Sequence, residues 1–214
     1  KASINVVVNN GTGTAITMAK GTVFTSTVDN SNYQYVTNED ITTTPVDGVF
    51  TFSDVILYEG TLVKFKYTVD ETDVDQKFII PSANADTSTL KVSVQNSVSD
   101  TTTNTYTLSS GFTGVGSDSK VYFIQETTDG KFEVYFGDGV TGKKLDTGNL
   151  ITLEYIVTNK TDSNGAKTFA LQGSIGGFTD VSITTNSVSQ GGAEGEDNQS
   201  VKFNAPLNFA AQDR

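Results

Sequence analysis

The sequence contains no cysteine, no histidine and no tryptophan, and only one methionine and three prolines among 214 residues. Without Cys or His it has no disulfides, no thiolate or imidazole metal ligands, no CxxC redox pair, and neither Ser-His-Asp nor Cys-His catalysis. Any chemistry would have to rest on carboxylates, hydroxyls, Tyr or Lys. Positive charge is also scarce. The 14 basic residues stand against 25 acidic ones, a net charge of -11, which repels arrays of phosphates and argues against nucleic acid or an anionic membrane as partner. No apolar run approaches the length of a bilayer-spanning helix, and the opening Lys1-Ala2-Ser3-Ile4 has no signal-peptide core. A start at Lys1 and an end at Arg214 suggest a piece of a longer polypeptide.

What is abundant points to sheets. Leu, Ile, Val and Phe make up roughly a quarter of the chain, enough for a core, and threonine is the commonest residue with valine next. These stiff, β-branched side chains favour a pleated surface over a helix. Over residues 62–69, Val63, Phe65, Tyr67 and Val69 alternate with Lys64, Lys66 and Thr68, and Leu90, Val92 and Val94 alternate with Lys91, Ser93 and Gln95, which predicts two half-buried antiparallel strands. Residues 121–124 and 132–136 flank Thr127-Thr128-Asp129-Gly130, whose Asp-Gly supplies the positive φ of a hairpin turn. Further strands are expected at 4–8, 22–28, 33–37, 49–52, 77–80, 150–157, 167–171 and 181–184. The spacing predicts an all-β protein of mainly antiparallel sandwich or barrel-like sheets, with at most a short helix near the C-terminus, over residues 199–203. The linker-like Pro81-Ser82-Ala83-Asn84-Ala85-Asp86 suggests a first β domain over residues 1–82 and a second over 83–214, the latter ending in a glycine-rich acidic arm.

Several constellations could carry chemistry, and each has a plainer reading. Asp70, Asp73 and Asp75 are closely spaced carboxylates of the kind calcium takes, but their spacing is not that of an EF-hand and a solvated acidic turn explains them. Gly191-Gly192-Ala193-Glu194-Gly195-Glu196-Asp197 resembles a single calcium-binding nonapeptide of a β-helix, which needs several stacked copies. Tyr33, Tyr35 and Tyr58 could form a sugar platform, though alternating Tyr in strands usually packs a core or rim. A carboxylate pair for glycoside cleavage is set by separation in space and is not readable from sequence. Phe136-Gly137-Asp138-Gly139-Val140-Thr141-Gly142 lacks the Lys-Ser/Thr ending of a phosphate loop and reads as a tight turn, with Gly137, Gly139 and Gly142 at backbone angles other residues resist and Asp138 capping local amides. Asn10, Asn159 and Asn198 match the Asn-x-Ser/Thr glycosylation pattern, as chance predicts in a chain this rich in Asn and Thr.

Residues 120–124, the run from Phe132 through Gly137-Asp138-Gly139-Val140-Thr141-Gly142-Lys143, then Gly148-Asn149-Leu150-Ile151 and Asn164-Gly165-Ala166, resemble the large wedge subunit of contractile-tail phage baseplates, the baseplate J-like family. The closing Gly191-Gly192-Ala193-Glu194-Gly195-Glu196, with Asn204-Ala205-Pro206, is similar to the segment before that family's C-terminal region. The resemblance is most specific over residues 120–214. It implies a non-enzymatic structural protein of the virion tail baseplate, assembled in the host cytoplasm, that joins neighbouring wedge subunits into the ring around the hub. It implies partners that are copies of itself, in dimer or ring contacts, and other wedge proteins. It implies no cofactor, no metal and no small-molecule substrate. On this reading the family-motif turn is Phe136, Gly137, Asp138, Gly139 and Gly142, and the interaction arm carries Gly191, Gly192, Glu194, Glu196, Asn204 and Pro206. Composition alone is equally natural for a receptor- or glycan-binding β-sandwich adhesin of a tail fibre or bacterial surface. The company baseplates keep also raises a carboxylate hydrolase of cell-wall sugars.

Overall fold

A computed structural model describes residues 1–73, 76–111 and 113–193. Among these residues there is no helix; the chain is all-β, as composition and periodicity predict. The expected helix at 199–203 lies outside the described residues.

The N-terminal part supplies β1 (Ala2–Val8), β2 (Ile16–Met18), β3 (Val23–Val28), β4 (Ser31–Val36), β5 (Ile41–Thr43) and β6 (Phe50–Glu59). The middle supplies β7 (Thr61–Thr68), β8 (Phe78–Ile80), β9 (Ala85–Gln95), β10 (Thr103–Leu108), β11 (Val121–Glu126), β12 (Phe132–Phe136) and β13 (Leu150–Val157). The chain then returns as β14 (Ala170–Gln172) and β15 (Val181–Ser187). Strands β14-β3-β4-β6-β1-β15 form a six-stranded sheet, β7-β13-β9-β10-β11-β12-β8 a seven-stranded sheet, and β2-β5 a small pair. The ladders are antiparallel except between β10 and β11.

Each large sheet has its own core. In β1, Ala2, Ile4, Val6 and Val8 are buried while the residues between them are half-buried, the period-2 pattern of a strand with one face inward. They pack with Phe24, Tyr35, Phe50, Phe52 and Leu57, with Ile16 and Met18 from β2, and with Ala166, Phe169 and Ile175 from the returning segment. The second core gathers Val92 and Val94 of β9, Tyr106, Tyr122, Val134, and Ile151, Leu153 and Tyr155 of β13. Burying each such side chain contributes about 2 kcal/mol, which is why the alternation survives in both sheets. The seven-stranded sheet curls until its two end strands meet through side chains. Tyr67 packs edge-on against Phe78 at 5.5 Å between ring centroids and donates its hydroxyl to the Ile79 carbonyl at 2.6 Å. Phe136 continues the contact, 5.8 Å from Phe78 and 5.5 Å from Tyr106.

The seven-stranded sheet is thus inserted between β6 and β14 of the other. The boundary expected at residues 82 and 83 falls between β8 and β9, both strands of this sheet. That polar stretch carries the chain from the sheet's end strand back to its middle.

The chain passes from one sheet to the other at Gly60. Its φ is +120°, and a Cβ there would sit 2.1 Å from the carbonyl oxygen of Val157, on the strand that leads back out. Gly60→Ala is therefore expected to cost about 3 kcal/mol, from a strained backbone and an unavoidable clash with main chain. Gly48 also has positive φ, but a Cβ there meets nothing within 4 Å, so Gly48→Ala should cost only about 1 kcal/mol. Urea unfolding of both variants checks the contrast.

Candidate functional site

The passage between the sheets is clamped on both sides of Gly60. Glu59 is buried, and its carboxylate accepts the Asn159 backbone N–H at 2.9 Å and the Asn159 side-chain amide at 2.6 Å, tying the outgoing and returning strands together. Thr158 N–H donates to Asn84 O, and the Tyr35 hydroxyl donates to Ser163 O at 2.8 Å from inside the first core. A cleft of about 700 Å³ opens beside this junction, lined by Tyr58, Glu59, Asp86, Lys160 and Asn164 among others.

On the other side, a loop of the first sheet sits over the polar face of the second. Glu154 on β13 is buried, with Lys20 Nζ 2.8 Å from Oε1 and Lys64 Nζ, on the neighbouring β7, 3.1 Å from Oε2. Lys91 on β9 reaches the Asn38 carbonyl in the same loop region. Burial alone would push the Glu154 carboxyl up, but hydrogen bonds and charge from Lys20 and then Lys64 outweigh it and hold the group below its ordinary range. The lysines thus keep one carboxylate ionised at an inter-sheet contact, as a structural clamp does.

The glycine turn sits at the far end of β12. Asp138 Oδ1 accepts the backbone N–H groups of Val140 and Thr141 at 2.9 and 2.8 Å, which hold its carboxyl below the usual aspartate range, the Thr141 bond most strongly. Gly139 and Gly142 have φ of +90° and +88°, as a tight turn predicts. Gly137 does not take positive φ; its requirement is close approach, because a Cβ would lie 2.1 Å from the Gly142 backbone. Phe136 faces inward onto Tyr106, whereas Val140 at the tip is 76% exposed. Gly142 N–H donates to Gly116 O and Lys143 N–H to Ser119 O, so the turn is anchored to the loop before β11.

The arm begins fixed. Asn164 donates its amide to Gly192 O at 3.0 Å and accepts Gly192 N–H at 3.1 Å, and a Cβ on Gly192 would fall 1.9 Å from Lys160 O. Glu194, Glu196, Asn204 and Pro206 lie outside the described residues, as do Asp75 and Asn198.

The other sequence candidates have local partners. Asp70 folds back on Thr72, accepting its backbone N–H and hydroxyl, and among the described residues no three carboxylates converge as a metal site requires. Tyr35 is wholly buried and Tyr33 packs against the same core, so they form no shared sugar platform. The Asn159 amide is held by Glu59. Among the described residues, the carboxyls of Asp70, Glu71, Asp100, Asp129, Asp138 and Glu154 are held below their ordinary range. Sequence reasoning did not find the Lys20–Glu154–Lys64 contact, because nothing local ties residue 20 to residue 154.

Among the described residues this is an all-β scaffold whose two buried carboxylates, Glu59 and Glu154, are both held by partners, and its sequence is similar to that of phage baseplate wedge proteins. A family model described as "Bacteriophage baseplate wedge protein gp6, third domain" matches residues 62–168, half of the chain, and the chain belongs to that family. The match begins one residue after β7 starts and ends eleven residues past β13, so it spans the inserted seven-stranded sheet. Baseplate wedge protein gp6 of Enterobacteria phage T4 is 26% identical over 189 residues, covering 80% of this chain and 27% of that protein. The chain therefore spans about a quarter of the length of this relative.

Because the Glu154 carboxyl is held low, its stabilisation is complete above the ordinary carboxyl range and is lost as pH falls through the lowered value. Glu154→Gln should cost about 2 kcal/mol at neutral pH, by leaving Lys20 and Lys64 without their shared partner. It should also flatten the acid limb of a plot of stability against pH; chemical denaturation from pH 7 down to 3 reads both effects.

Proposed function

We propose that this chain is a non-enzymatic structural module of a phage tail baseplate wedge, resident in the virion, and a portion of a larger subunit. The observation that carries this reading is the coincidence of the family match with one folded element, the inserted sheet and its turn. In this role the module helps join neighbouring wedge subunits into the ring around the hub, in contact with copies of itself and with other wedge proteins. The wider baseplate J-like kinship and assembly in the host cytoplasm belong to the same proposal. We take residues 61–157 as the presenting domain and the surrounding strands as its base.

The physical properties support the reading. An assembly part needs a rigid frame, exposed turns and edges, and no reaction centre. Val98 and Val140 are 80% and 76% exposed on loops of the inserted sheet, and side chains of this kind become buried when a partner is met. The net charge of -11 keeps free subunits apart until a complementary surface is presented.

Mixed with the other wedge proteins of its own phage, the chain should co-sediment with them. Val140→Asp should weaken that association about tenfold while leaving stability within about 0.5 kcal/mol. Binding to a glycan array in place of sister proteins would contradict the reading. So would release of reducing ends from peptidoglycan that a single Asp or Glu change abolishes.

A further inference from the structure

Among the described residues, strand β7 is one end of the seven-stranded sheet and pairs only with β13. Which of its backbone groups face outward follows from its ends. Val69 N–H donates to Asn149 O and Val69 O accepts from Gly148 N–H, so Val69 faces the β13 side. Alternation then turns Phe65 and Tyr67 toward β13 as well, and turns the N–H and C=O of Lys64 and Lys66 away from it. Two contacts agree with this phase: Gly60 N–H leaves the ladder to reach Gln34 O, and the Thr68 carbonyl accepts from Gln76 Nε2 at 2.9 Å. Between those two capped positions, the outward groups of Lys64 and Lys66 have no ladder partner among the described residues.

The side chains along this stretch have two distinct faces. Lys64 and Lys66 lie on the same face as Glu154; Lys20 and Lys64 share that buried carboxylate, Lys66 is paired with no carboxylate among the described residues, and Asp40 is engaged by the Lys20 backbone N–H. Lys66 is exposed. The opposite face carries Phe65, which is 38% exposed although its neighbours Val63 and Tyr67 pack on the core. A local excess of positive charge, on a chain of net charge -11, thus borders two sets of open backbone groups and a part-covered aromatic ring.

We propose that the β7 edge is a strand-addition site for an extended acidic–apolar segment of a partner protein, one with carboxylates on the side of Lys64 and Lys66 and an apolar side chain over Phe65. Main-chain bonds to Lys64 and Lys66 give affinity, and alternate side chains give selectivity. The same lysines exclude the simplest wrong partner. Two copies pairing antiparallel through β7, centred on Phe65, would set Lys64 of each against Lys66 of the other, and like charges directly opposite are destabilising. This inference concerns the edge itself and holds whichever assembly the chain enters.

The probe is a blocked Glu-Val-Glu-Val-Glu-Val peptide, titrated into the ¹⁵N-labelled 214-residue chain, with the Lys-Val repeat as control. The expected result is saturable binding of the acidic peptide, with the amides of Lys64 and Lys66 shifted and protected from hydrogen exchange, and binding of the control at least about threefold weaker. Lys66→Glu touches no ion pair among the described residues; it should weaken the acidic peptide about three- to tenfold and improve the control. Lys64→Thr with Lys66→Thr should make the free chain self-associate in sedimentation velocity. Failure of the acidic peptide to bind would overturn the proposal. Binding that Lys66→Glu leaves unchanged, or Lys64 and Lys66 amides already protected in the free chain, would overturn it equally.

Discussion

The structure depends on one close approach, the packing of Gly60 against the Val157 carbonyl, where the chain enters and leaves the inserted sheet. An insertion of this kind needs its two connecting strands side by side, since otherwise the inserted unit could swing on two independent linkers. Here the absence of a side chain at residue 60 lets main chain meet main chain, and Glu59 grips Asn159 with both carboxylate oxygens. The Glu154 cluster adds a second point of attachment. Two attachments on different strands fix the orientation of the inserted sheet in a way that one would not.

This explains how a chain with few charged residues uses them. Surface ion pairs contribute little on their own, so the informative ones are those drawn out of solvent. Glu59 and Glu154 are both buried, and both lie where the two sheets meet. Of the other described acids, Asp138 caps its own turn while Glu71 and Glu133 reach Lys144 and Lys77 in partly exposed pairs, and among the described residues the acids gather in no concentrated site. The β7 lysines stand apart from that pattern, which is what makes the edge distinctive.

Much of the fold was legible in local pattern. The β11–β12 hairpin follows from apolar runs around Asp129-Gly130, and Gly130 indeed takes φ +73°. Strands β7, β9 and β13 follow from alternation or continuous apolar character. What was not legible has physical causes. Strand β10 is almost wholly polar because only Tyr106 points into the core. Strands β2 and β5 are three residues long. The apolar pattern of β6 breaks at Asp54, a non-glycine residue at φ +52° in a bulge held by its N–H to Asn5 Oδ1, so the strand reads as ending at residue 52 when it runs to Glu59. Phe65 alternates with core residues yet stays 38% exposed, its ring resting on Tyr67 at 5.0 Å between centroids, while Tyr67 is the one that reaches across to Phe78. The nesting of one sheet inside the other rests on pairings between distant parts of the sequence, such as Val6 with Ile183, which no local pattern records. For the glycine turn the need for glycine was legible, but the reason at Gly137, crowding and not dihedral angle, is a property of the folded turn.

The central claim is that this chain works through the turns and edges of a fixed β scaffold. Hydrogen–deuterium exchange compared between the free chain and the same residues in assembled baseplates tests it most directly. The account predicts new protection confined to exposed segments such as the 137–142 turn and the outward amides of β7, with the exchange of both cores unchanged. Indistinguishable exchange at every surface segment would contradict it, as would protection that appears only through refolding of the cores.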